Sequence, residues 1–91
     1  MPKVTLQGHI TVPEKDLSAV TAALPIHIDL TRNEKGCLCF EITQTSDDPC
    51  VFQVYEEFVD RAAFELHQQR IRTSEWGRVT VNVERDFSVT G

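Results

Sequence analysis

At 91 residues the chain has room for one hydrophobic core, which excludes separate cofactor and substrate domains. A formal net charge of −5 without any Lys/Arg cluster excludes the basic footprint that nucleic-acid binding needs, and no run approaches the roughly 20 apolar residues that span a bilayer. With 41% hydrophobic residues and five Phe, the composition is that of a folding globular chain.

The opening MPKVTLQGHITV lacks a continuous apolar signal region, so a soluble, cytoplasmic protein is expected. Residues 3–12 alternate: Val4, Leu6, Gly8, Ile10 and Val12 fall on one face, and Lys3, Thr5, Gln7, His9 and Thr11 on the other, the period of a half-buried strand. Pro13 is expected at the first helical position, with Glu14 and Asp16 in the first turn where negative charge suits the helix dipole. Leu17, Val20 and Leu24 form the core-facing stripe of that helix. Pro25 predicts a kink, because it deletes a backbone hydrogen bond and disfavours helical geometry at Leu24, with residues 26–32 continuing for a further turn or two. Asn33-Glu34-Lys35-Gly36 is the stop, with Gly36 free to take a positive φ.

Residues 37–44, CLCFEITQ, predict a second strand with Leu38, Phe40 and Ile42 on one face and Cys37, Cys39, Glu41 and Thr43 on the other. Ser46-Asp47-Asp48-Pro49 is a turn cluster leading into a third strand over residues 51–58, the two forming an antiparallel hairpin. Asp60 has the side chain and position of an N-cap for a helix over residues 61–72. Thr73-Ser74-Glu75-Trp76 reads as a further helical turn, and the alternation from Val79 through Val89 predicts a last strand within residues 79–90, its start left open.

Cys37, Cys39 and Cys50 match no disulfide or zinc spacing and are expected as reduced, partly buried small hydrophobes, with no metal site.

The order β-α-β-β-α-β is that of a ferredoxin-like α+β fold, a four-stranded antiparallel sheet with both helices on one face. The other face is expected to carry Thr5, Gln7, His9, Cys37, Cys39, Glu41, Val51, Gln53 and Tyr55. It is too apolar for free wetting and too polar for a core, so a homodimer through the sheet faces is expected, the alternative being a solvated sheet. His9 then lies at the dimer seam.

On the second helix Ala63, Phe64, His67 and Ile71 share a stripe, so His67 points toward the sheet. The helix-facing side of the third strand offers it Glu56 among Phe52, Val54 and Phe58. Two readings stand: a His67–Glu56 pair that ties helix to sheet, or a base whose orientation and pKa that carboxylate sets. Trp76, Tyr55 and Arg32 are candidate donors to a substrate anion and Phe52, Phe58 and Phe64 candidate walls, while His27, beyond Pro25, is placed at the pocket mouth or the surface. Each has a plainer alternative: Trp76 as a lid or dimer contact, Tyr55 on the dimer face, Arg32 ending the first helix or pairing with Glu34 or another acid nearby.

The stretch Glu56-x-Phe58-x-Asp60-x-x-Ala63-Phe64-x-x-His67, preceded by Asp48-Pro49 and by Thr31-Arg32-x-Glu34-x-Gly36-Cys37, resembles the antibiotic biosynthesis monooxygenase family of small dimeric α/β-barrel proteins. The likeness runs from Gly8 to the last strand. It implies a single domain over residues 1–91, a dimer whose sheets pack into a barrel, and a ligand pocket between helices and sheet in each subunit. It further implies a small aromatic or quinol-like substrate oxidised with O2 and no metal or organic cofactor. The family's haem-degrading branch is disfavoured, since the first strand offers Gln7 and His9 but not that branch's Asn. The alternatives are a non-catalytic dimeric module that binds a small molecule and an isomerase-type relative, between which fold alone does not choose.

Overall fold

A computed structural model describes residues 2–91. The strands β1 (Val4–Thr11), β2 (Cys37–Gln44), β3 (Val51–Phe58) and β4 (Glu84–Thr90) alternate with the helices α1 (Glu14–Arg32), α2 (Arg61–Arg72) and the short α3 (Glu75–Val79). All strand pairs are antiparallel, in the order β2-β3-β1-β4, which is the ferredoxin-like arrangement expected. The alternation in β1 puts Val4, Leu6 and Ile10 into one cluster with Val20 of α1, Phe52, Val54 and Phe58 of β3, Phe64 of α2 and Trp76 of α3.

Asp60 caps α2 as its side chain predicts, Oδ1 accepting from the Ala63 amide at 2.9 Å. Pro13 is the N-cap residue of α1 rather than its first helical residue, with an extended ψ of 141°. The helix continues past Pro25, α1 running from Glu14 to Arg32 as expected for the residues after the proline. Buried residues lie on both sides of the proline, Val20 and Ala23 before it and His27 and Thr31 after it, so packing carries the helix past the lost backbone bond.

Gly36 does not take a positive φ. Its role is close approach: a Cβ there would sit 2.3 Å from the Ala63 Cβ, so the entry to β2 lies directly on α2. A bulge follows, with a register shift between Cys37 and Cys39. It turns Leu38 out to solvent, 57% exposed, and packs Cys37 against the core, reversing the faces that strict alternation assigns them. The last strand starts at Glu84, because Val79 closes α3 and Thr80 bonds back to Trp76 instead of pairing in the sheet. Gly8 (φ 154°) lets β4 pass close to β1; a Cβ would lie 1.9 Å from the Asp86 carbonyl oxygen.

No helix among the described residues is long and apolar enough to cross a membrane.

Candidate functional site

The stripe on α2 does bring His67 under the sheet, 1% exposed, with its ring 4.9 Å from that of Phe58. Its hydrogen-bond partner is Glu34, not Glu56. Nδ1 and Glu34 Oε1 are 2.8 Å apart, whereas Nε2 and Glu56 Oε1 are 3.8 Å apart, too far for a direct bond. Glu34 lies in the turn after α1, fixed by the bonds from its own amide to the Thr31 carbonyl and from the Cys37 amide to its carbonyl. Arg70, one turn along from His67 on α2, donates Nε to Glu34 Oε2 at 2.5 Å and Nη2 to the buried Thr31 hydroxyl at 2.9 Å.

An ionised carboxylate only accepts, so Glu34, held by Arg70, places the imidazole proton on Nδ1 and leaves a lone pair on Nε2. Among the described residues that lone pair has no partner, and it faces the equally unpartnered Glu56 Oε1. Burial pushes the Glu56 carboxyl up to about 7, with the Glu34 charge adding to it. Burial also lowers His67, against the pull of Glu34. Near neutral pH the pair therefore consists of a neutral imidazole and a carboxyl close to half-ionised.

A cavity of about 50 Å³ adjoins this pair, lined among others by Glu56 of β3, Phe40 of β2, His27 of α1, Trp76 of α3 and Arg85 of β4. His67 stands behind Glu56, which reaches the cavity wall. His27 is buried, correcting the surface alternative; it stacks on Trp76 with ring centroids 4.5 Å apart and an interplanar angle of 6°. Desolvation holds it at about 3, well below an ordinary imidazole, so it is neutral.

Of the residues expected from sequence, His67, Glu56, His27 and Trp76 come together here. Tyr55 lies across the sheet on the open face and donates to Glu57, because its place in β3 alternates with that of Glu56. Arg32 lies at the other side of β2, donating to the Phe40 carbonyl from Nε at 3.2 Å and Nη2 at 3.0 Å, near Glu41 rather than Glu34. Phe52, Phe58 and Phe64 are core residues behind the wall; Phe40 and Phe87 line the cavity. Sequence reasoning gave no role to Arg70 or Arg85 and considered Glu34 only as a partner of Arg32. The signal for Arg70 was available in its three-residue spacing from His67.

The sequence profile of a family described as antibiotic biosynthesis monooxygenase matches residues 3–76. Solved structures similar to the chain include PA3566 from Pseudomonas aeruginosa, 25% identical with a TM-score of 0.74 over 99% of this chain and 91% of that one. SO0527 from Shewanella oneidensis is 26% identical with a TM-score of 0.68, over 97% and 86%. A protein described as an antibiotic biosynthesis monooxygenase is 24% identical with a TM-score of 0.71, over 99% and 94%. No curated protein matches the sequence.

Proposed function

The chain belongs to the antibiotic biosynthesis monooxygenase family, and from that premise we propose that it oxidises a small aromatic or quinol-like molecule with O2, needing no metal or organic cofactor. The observation that carries this reading is the buried Glu56–His67 pair, a carboxyl at the cavity wall backed by an imidazole lone pair 3.8 Å away.

The fraction of Glu56 that is ionised near neutral pH removes a proton from a phenol or an acidic CH2 of the substrate. His67 Nε2, with Glu34 behind it, shares that proton with Glu56 through a small movement or one water. The resulting anion gives one electron to O2, and the substrate radical and superoxide combine at carbon as a peroxide anion. That anion takes back the proton, and the hydroperoxide loses water to leave a carbonyl, so that CH2 and O2 become C=O and H2O. Apolar walls keep bulk water from the anion before the electron moves. Arg85, at the cavity edge, supplies positive charge near it.

The open sheet face supports a homodimer. It forms a trough of about 520 Å³ lined by Gln7, His9, Glu41, Gln53 and Tyr55 among others. Covering it with the same face of a second copy makes a two-fold pair, which sedimentation equilibrium tests.

Oxygen uptake by metal-stripped protein with hydroquinones and anthrones, for wild type, His67→Ala and Glu56→Gln at matched fold and dimer content, tests the reaction. Uptake lost in both variants is expected; uptake retained in His67→Ala removes its role. A second reading, a non-catalytic small-molecule-binding module, is favoured by the 3.8 Å between His67 Nε2 and Glu56 Oε1, which is too long for the hydrogen bond of an assembled base; in either reading the cavity of about 50 Å³ must enlarge to reach the roughly 300 Å³ of a ligand pocket. Ligand-dependent thermal stabilisation without oxygen uptake would support that reading.

A further inference from the structure

A second cavity, of about 40 Å³, lies on the outer side of α3 between α1 and α3, lined by Ala23, Ile26, His27, Leu30, Arg70, Ser74, Glu75 and Trp76. The two residues it shares with the cavity beside Glu56 are His27 and Trp76, the stacked pair. The stack is thus a partition one ring-pair thick between two spaces that each hold only a few waters. We propose that the substrate binds by displacing the Trp76 indole, so that the two cavities merge and a flat aromatic ring takes the indole's place against His27. This deepens the reading of the helix–sheet cavity as the substrate site and rests on it.

Three observations converge on the slot. The place is already occupied by a flat aromatic ring, in parallel contact with an imidazole at 4.5 Å. A ligand ring that replaces the indole restores that contact, so the exchange trades one buried ring for another. His27, only 4% exposed, has no partner for Nδ1 among the described residues. A ligand substituent that extends past the stacked ring into the plane of the imidazole, or a water admitted with it, can either donate to or accept from that nitrogen, whichever tautomer is present, and so supplies the bond the closed form lacks.

The third observation concerns what holds the indole. It is 8% exposed and held by apolar packing and its stack with His27, on a helix of only five residues, so a ring that restores the same contacts can replace it. Ile26 and Leu30, exposed at 64% and 49%, give the outer cavity an apolar lip. The ligand ring enters over that lip and comes to rest on the path to Glu56, which lines the inner cavity together with His27.

Trp76 is the chain's one tryptophan, so 5-fluorotryptophan places a single 19F label in the partition. Titration with 1,4-dihydroxynaphthalene under argon, where no turnover occurs, is expected to move that resonance saturably and to give it the H2O/D2O isotope shift of an exposed indole. The non-aromatic 1,4-cyclohexanediol is expected to leave it in place. Trp76→Ala, or Trp76→Phe if the alanine variant does not fold, is expected to bind the naphthalene diol more tightly, by about tenfold for the alanine variant, because no self-occupying ring must first leave. Calorimetric binding with an unmoved resonance, or no saturable binding by any of these proteins, overturns the proposal. Oxygen uptake on aerated samples separates it from the oxidation: a displaced indole without uptake refutes only the reaction, and uptake with an unmoved indole refutes only the displacement.

Discussion

Replacing Glu56 with Gln keeps the shape of a buried carboxyl and removes its ionisation, so the change should act on stability and on activity in opposite directions. Glu56 is 6% exposed, is flanked by Leu6 and Phe40 on the neighbouring strands, and has no partner for Oε1. Its carboxyl ionises at about 7 in the folded chain, against 4.5 ordinarily. Between those values the folded state holds a proton that the unfolded state has lost, so stability falls as pH rises through the window. An interval of about 2.5 pH units at 1.36 kcal/mol each amounts to about 3 kcal/mol. Gln ionises in neither state and does not incur this loss. Urea unfolding of both proteins from pH 5 to pH 8 should therefore find them close at pH 5 and Glu56→Gln ahead by about 3 kcal/mol at pH 8, read from the midpoint at unchanged m. The His27 titration is common to both proteins and cancels in the difference, while that of His67, 3.8 Å from Glu56, is followed separately by its 15N shifts. Oxygen uptake should fall by about 100-fold or more, the usual contribution of a positioned base. A stability difference that does not change with pH would refute the reasoning, since it would mean that Glu56 ionises as freely folded as unfolded.

His27→Phe keeps a ring against Trp76 and deletes the unpartnered nitrogen. Below 6.5 the unfolded wild type takes up a proton that the buried His27 refuses until about pH 3, so the wild type should lose about 1.4 kcal/mol per pH unit across that range and the variant should not. Equal acid-unfolding midpoints by circular dichroism would contradict this. Glu34→Gln removes the charge that holds both His67 Nδ1 and Arg70; a loss of about 1–2 kcal/mol is expected, discounted for partial exposure. The 15N shifts of His67 should then move from an Nδ1–H tautomer to a mixture, and an unchanged spectrum would show that Glu34 does not set the tautomer. Gly36→Ala forces a methyl onto Ala63 and should cost about 1–3 kcal/mol. The same substitution in an Ala63→Gly background should cost clearly less, and strict additivity of the two would rule out the contact.

Much of the frame is written locally. Period-2 alternation placed β1, β2 and β3, and Asp60 followed by the Ala63/Phe64/His67/Ile71 stripe defined α2 from Arg61 to Arg72 with its inward face. These signals survive because a strand's alternation and a helix cap depend on residues within a few positions of each other. Local signals failed where a contact from elsewhere outweighed them. The bulge between Cys37 and Cys39 turned Leu38 out and Cys37 in against strict alternation, and Ala63 of α2 left Gly36 no room for a side chain.

At the site, the sequence by itself determined that an inward histidine on α2 faces the helix side of β3, because both follow from periodicity. Only the tertiary structure decided which carboxylate binds that histidine. Glu34 and His67 are 33 residues apart, and their 2.8 Å contact follows from the turn after α1 being seated against α2. Glu56, the partner that strand alternation offered, stands 3.8 Å off, and that distance frees it to line the cavity as the group whose ionisation the interior controls. The pairing of His27 with Trp76 arises in the same way. Burial of α1 beyond Pro25 and the fold-back of α3 meet in one stack, and no pattern along the chain encodes the distance between two helices.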